Sequence, residues 1–90
     1  MNLETLFTSR TQTRLLQYLL QNPTKIYNQA GLARFLDCSP SSIARILDVF
    51  AKEQIIVYEQ MSGQMKIVAL NSESPKVKAL QEFYEKIKNL

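Results

Sequence analysis

The sequence predicts an α+β fold, mainly helical with one small β-hairpin. Three observations predict it. Four segments carry apolar residues at helical spacing, each opened by a capping residue. Two short β-rich runs are separated by a turn that contains glycine. The composition, 46% hydrophobic with two Gly and three Pro in 90 residues, is that of one compact globular domain rather than a disordered chain.

Residues 1–8 read as an N-terminal arm. Ser9-Arg10-Thr11-Gln12 fits a capping box, in which a Ser hydroxyl accepts from a backbone amide three residues on while Gln reaches back. It opens a first helix over residues 9–21 with the stripe Leu15, Leu16, Leu19 and Leu20. Asn22-Pro23 stops that helix, because proline disfavours the helical region for its predecessor and has no amide to donate. Lys25-Ile26-Tyr27 is long enough only for a small strand. Asn28 caps a second helix over 28–37 that carries Leu32, Ala33, Phe35 and Leu36.

After a short turn, Ser39-Pro40 starts a third helix over 39–53, with a hydroxyl cap and proline at the first position, where its missing amide costs nothing. At 100° per residue, Ile43, Ile46, Leu47 and Phe50 share one side of this helix. Ser41, Arg45, Asp48 and Lys52 share the other. The β-rich runs, Ile55 to Gln60 and Met65 to Leu70, make a hairpin over 55–70, with Gly63 supplying a left-handed turn conformation. A loop ending at Ser74-Pro75 leads to a fourth helix over 75–89, capped by Ser74. It places Val77, Leu80, Tyr84 and Ile87 on a stripe that Phe83 and Leu90 widen.

The residue inventory narrows the function. There is no His, hence no imidazole base and no His-containing zinc site. A single Cys with scattered carboxylates makes no metal cluster, and Gly31 and Gly63 are too far apart to form a phosphate-cradling loop. An enzyme, a metal and a cofactor are therefore not expected. No apolar run approaches the roughly 18 to 20 residues a membrane span needs, and Met1-Asn2-Leu3-Glu4 lacks the layout of a signal peptide, so a cytoplasmic location without membrane contact is expected. The formal charge of +3 is mildly favourable for contact with a polyanion.

The stretch Leu32-Ala33-Arg34-Phe35-Leu36-Asp37-Cys38-Ser39-Pro40-Ser41-Ser42-Ile43-Ala44-Arg45, followed by the hairpin and the last helix, resembles the winged helix-turn-helix family. It shows the family's small residue in the first helix of the motif, apolar residue just after the turn and branched apolar residue beyond, here Ala33, Cys38 and Ile43. Packing explains the pattern, since two steeply crossing helices need a small residue at closest approach. The likeness covers roughly Leu6 to Ile87 and is similar to archaeal and bacterial transcriptional regulators of the arsenical-resistance (ArsR) and multiple-antibiotic-resistance (MarR) types. Their first helix is often preceded by a pair such as Leu6-Phe7. Asp37 stands where the family often has Gly, and Gln54 where Gly or Asn commonly ends the recognition helix.

The resemblance implies a double-stranded DNA-binding protein whose helix 39–53 enters the major groove. Ser39, Ser41 and Ser42 become phosphate or base contacts at the positive helix end. Arg45 is the outward side chain able to make a bidentate contact to guanine; its other reading is a solvated charge, with Asp48 as its candidate partner. Asp48 and Lys52 have the order of a surface pair, while Lys52 is also a phosphate candidate, and Val49 is placed either at a thymine methyl or against a neighbouring helix. On the hairpin, the wing of this family, Gln60, Ser62, Gln64 and Lys66 are candidate contacts of small affinity. Arg34, Arg10, Arg14 and Lys25 are further phosphate clamps or idle surface charges. Cys38 is expected as a buried core thiol.

The last helix invites a second subunit. Leu80, Phe83, Tyr84, Ile87 and Leu90, aided by Leu3, Leu6 and Phe7, form a candidate homodimer interface. A two-fold dimer places recognition helices about 34 Å apart on a pseudo-palindromic site. The alternative is a winged-helix module that docks another protein through the third helix or the wing, a reading supported by the nearly uncharged wing.

Overall fold

The computed structural model describes residues 7–90. Its elements run α1 (Arg10–Gln21), β1 (Ile26–Asn28), α2 (Gln29–Leu36), α3 (Pro40–Lys52), β2 (Ile56–Gln60), β3 (Lys66–Leu70) and α4 (Pro75–Ile87). The residues predicted as helix ends, Ser9, Asn28, Asp37, Ser39 and Glu53, are the caps. Leu3 and Leu6 lie outside the described residues.

Three helices begin on side-chain caps. Ser9 Oγ accepts from the Gln12 amide at 3.0 Å, Asn28 Oδ1 from Gly31 at 2.6 Å and Ser39 Oγ from Ser42 at 3.1 Å. The Gln12 carboxamide oxygen accepts from the Thr8 hydroxyl at 2.8 Å. Ser74 corrects the expectation for α4. It occupies the capping position, but its side chain makes no cap hydrogen bond; the residue is buried, with its hydroxyl turned inward.

The turn between α2 and α3 closes on two reaching amides, Asp37 to the Arg34 carbonyl at 3.2 Å and Cys38 to Ala33 at 3.0 Å, with Asp37 at φ 53°. A short polar side chain tolerates that left-handed region, so the turn forms without glycine. Cys38 is half-buried rather than fully enclosed, packed against the core but open to the clefts beside it.

The hairpin pairs β2 with β3 antiparallel, Ile56 opposite Leu70 and Gln60 opposite Lys66. Gly63 takes φ 70° in the turn. The small strand is more than a linker: β1 adds to the free side of β3, Ile26 opposite Ala69 and Asn28 opposite Ile67, giving a three-stranded sheet in the order β1-β3-β2.

The core lies between the helices and the inner face of this sheet. Leu15, Leu19, Ile43, Leu47, Phe50, Ile55 and Val68 are wholly enclosed. Burial of each such side chain contributes about 1.5–3 kcal/mol, which is what sets the orientation of α3. Phe35, by contrast, is exposed and stacks on Tyr18 with ring centroids 4.3 Å apart. Tyr18 also packs on Tyr27 at 5.3 Å, and burial, with Tyr18 second, pushes the Tyr27 hydroxyl up to about 12. No described helix is long and apolar enough to cross a membrane.

Candidate nucleic-acid interface

The predicted site residues centre on α3. Its Ile43, Ile46, Leu47 and Phe50 side is buried, so Ser41, Arg45, Asp48 and Lys52 are held outward. All four are exposed. Arg45, Asp48 and Lys52 join no ion pair among the described residues, so the expected Asp48–Lys52 pair does not form. An unpaired guanidinium on a fixed helix keeps its planar fork free for a bidentate partner.

The three serines at the start of α3 are not equivalent. Ser39 is the hub: besides capping, its hydroxyl donates to Ser42 Oγ at 2.9 Å and lies 3.2 Å from Ser41 Oγ. Ser42 is half-buried, which leaves Ser41 as the open hydroxyl of the first turn. Lys52 lies some eleven residues further, about 16 Å along the axis, beyond reach of a ligand at the N-terminal end.

Two clefts flank α3. One, of about 820 Å³, runs between α2, the motif turn and the wing, and brings Arg34, Gln64 and Lys66 together with Asn28, Gln29 and Asp37. The other, of about 480 Å³, brings Ser42, Arg45 and Val49 beside Thr8, Ser9 and Thr11. The hydroxyls at the start of α1 carry a local signal only for a cap; their place on one cleft with Arg45 is a tertiary fact. Arg34 and Lys66, 32 positions apart in sequence, likewise come to line one cleft only through the fold.

The wing residues divide. The Gln60 amide donates to the Gly63 carbonyl at 2.9 Å and so serves the turn. Ser62 and Gln64 are exposed at the tip. Lys66 lies over the Tyr58 ring at 5.3 Å, and the Tyr58 hydroxyl donates to Gln29 Oε1 at 2.6 Å, so the base of the wing is tied to α2.

On the far side, Phe7, Leu80, Phe83, Tyr84 and Ile87 line one groove of about 270 Å³ between α1 and α4. Phe7, Phe83, Ile87 and Leu90 are exposed, and Leu80 and Tyr84 half-buried. Besides the buried Val77, two polar contacts among the described residues fasten α4 to the rest: Lys76 pairs with Glu53 at 3.0 Å, and the Gln81 amide donates to the Leu20 carbonyl at 3.0 Å. At its end Lys88 pairs with Glu85 at 2.9 Å, and that hydrogen bond holds the Glu85 carboxyl below its ordinary range.

Neither a family model nor a curated protein sequence matches the chain. Solved structures do. HlyU from Vibrio cholerae aligns with a TM-score of 0.73 at 19% identity, over 98% of this chain and 88% of that one. MepR, a transcription regulator of the Staphylococcus aureus multidrug efflux pump MepA, aligns at 0.67 and 18% identity, over 97% of this chain and 65% of that one. A mutant of Lactococcus lactis ZitR aligns at 0.63 and 21% identity, over 96% and 64%. The chain thus spans most of HlyU but under two thirds of MepR and ZitR. What the chain shares with these structures is the winged-helix fold.

Proposed function

We propose that the chain is a sequence-specific double-stranded DNA-binding transcription regulator, acting as a homodimer on a pseudo-palindromic site. The observation that carries this reading is α3 itself, one side sealed into the core and the other presenting Ser41, Arg45 and Lys52 outward with no ion pair. The likeness in fold to MepR, named as a transcription regulator, supports it.

In this reading α3 enters the major groove and Arg45 addresses a guanine edge. Ser41 meets phosphate at the helix start, while Arg34 and Lys66 hold the backbone from the adjoining cleft. The apolar groove between α1 and α4 pairs with its copy, so that two modest surfaces bind one duplex together. The wing adds neutral donors beside Lys66, its one cation, which lines the cleft while resting over the Tyr58 ring.

Fluorescence anisotropy on a duplex of mixed sequence at low salt tests the reading. Binding in the micromolar range that weakens as salt rises is expected, with a log–log slope of roughly 0.9 per phosphate contact. Absence of binding at tens of micromolar overturns it.

A further inference from the structure

The antiparallel register gives the sheet two unlike faces. Tyr27, Val68 and Tyr58 align on one and pack toward the core; one residue along, Ile26, Ala69 and Val57 align on the other. Alternation continues this outer face through Ile67 to Met61 and Met65, whose backbones close the hairpin with a 2.7 Å hydrogen bond. Ile26 is 64% exposed, Met65 55%, Met61 48% and Val57 42%. Solvated faces of antiparallel sheets are ordinarily polar, and a contiguous apolar one marks an interaction site.

The polar members of the face are Asn28 and Glu59. Asn28 is engaged as the cap of α2, whereas Glu59 is exposed and joins no ion pair among the described residues. The neighbouring cations are turned to the inner face: Lys66 lies over Tyr58, and Lys25 over Tyr27 at 5.2 Å.

We propose that the outer face of the sheet docks a partner protein that presents an apolar stripe flanked by a lysine or arginine, the cation meeting Glu59. Charge selects this occupant. Nucleic acid and anionic lipid meet Glu59 repulsively and find no free cation on the face, while an apolar stripe buries Ile26, Ala69, Val57 and Ile67. Met61 and Met65, unbranched and polarisable, adapt the tip to the partner's contour. The inference goes beyond DNA binding and stands without it: Ile26, Val57, Glu59, Met61, Ile67 and Ala69 belong neither to α3 nor to the cleft of Arg34 and Lys66, which Asn28 and Met65 alone of this face also line.

Methyl and amide NMR spectra of the full chain, titrated with a Leu/Lys amphipathic peptide and separately with its Leu/Glu counterpart, test the proposal. The chain's formal charge of +3 favours the acidic peptide in bulk, so a preference for the basic one has to come from the local field. The Leu/Lys peptide is expected to shift Ile26, Val57, Met61 and Met65 saturably and to bind about tenfold more tightly, and Glu59→Lys is expected to reverse the preference. Ile26→Ser with Val57→Ser, both at exposed positions, abolishes the response but leaves folding and duplex affinity intact. Equal response to the two peptides, no saturable shift, or a footprint on the α1–α4 groove overturns the proposal. It is equally overturned if the double variant loses duplex binding, or if it dissolves a dimer, for then DNA or a second copy covers the face.

Discussion

Ile55 donates its amide to the Phe50 carbonyl at 2.8 Å, across a residue, Gln54, that stands at φ 62°. With the Gln54 amide reaching Ala51 at 3.0 Å, this is a Schellman closure of α3 in which Phe50 and Ile55, both wholly buried, seal the end. The left-handed position carries a long side chain instead of glycine, at a cost of about 1 kcal/mol. Gln54→Gly is therefore expected to raise stability by about that amount. Asp37→Gly, at the other left-handed turn, gives a smaller gain of about 0.5 kcal/mol because Asp already tolerates the region. Thermal melts of the two variants check the order; a loss of stability in Gln54→Gly contradicts the account.

Three serines occupy helix-capping positions, and they should respond differently to removal of the hydroxyl. Ser9→Ala and Ser39→Ala each take away an acceptor for a first-turn amide and are expected to cost about 1 kcal/mol. Ser74→Ala removes an inward hydroxyl that makes no cap bond, so it is expected to be neutral or mildly stabilising. Urea unfolding of the three variants measures this, and an equal cost at all three sites refutes the distinction.

The difference between these serines also shows what a sequence can and cannot carry. Helix starts, the Asp37 turn and the hairpin were legible because their causes are local: a capping residue, a proline, a glycine at the right offset. The pairing of Ile26 with Ala69 was not, since three residues define a strand only once a partner 43 positions away is in place. Nor was the outer face of the sheet. Ile56, Val57 and Tyr58 are all apolar, so alternation could not say which of them faces the core. For the site, the 100° wheel gave the outward set on α3, but the placement of Arg45 on one cleft with Thr8 and Thr11, and of Arg34 on another with Lys66, depends on packing between elements.

Tyr27 predicts a pH dependence. Its hydroxyl is raised from the ordinary 10.0 to about 12, first by burial. Tyrosine is neutral when protonated, so above pH 10 the unfolded chain ionises at this residue while the folded one holds its proton. The stability this contributes is complete below that range and lost as pH rises toward 12. Tyr27→Phe is expected to flatten the alkaline decline without altering the profile near neutrality. An unchanged alkaline slope in that variant assigns the decline elsewhere.

The α1–α4 groove makes a prediction separable from folding. Phe83 and Ile87 are 59% and 43% exposed in the single chain, so Phe83→Ser and Ile87→Ser should change monomer stability by less than about 0.5 kcal/mol. If this stripe pairs with its copy, both variants shift sedimentation from dimer to monomer and remove the concentration dependence of the melting temperature. Unchanged sedimentation of a dimeric parent places the interface elsewhere.

Arg45 and Lys52 provide the sharpest test of how α3 works, because the two cations share its outward side but lie seven residues, about 10 Å, apart along the axis. A base contact and a phosphate contact leave different signatures. Loss of a bidentate guanine contact costs about 1–3 kcal/mol on the preferred site and little on random duplex, so Arg45→Ala is expected to relax sequence preference. Loss of a phosphate contact weakens all duplexes alike and lowers the salt slope by roughly 0.9, the expectation for Lys52→Ala. Both side chains are exposed, so neither variant should disturb the core. Site selection from a random library with the parent, followed by anisotropy on selected and scrambled duplexes at several salt concentrations, separates the two effects. If Arg45→Ala shows the uniform loss and Lys52→Ala the change in preference, the reading end of α3 is its C-terminal half and the assignment reverses. If neither variant changes affinity while the parent binds DNA, the outward side of α3 is not the contact surface.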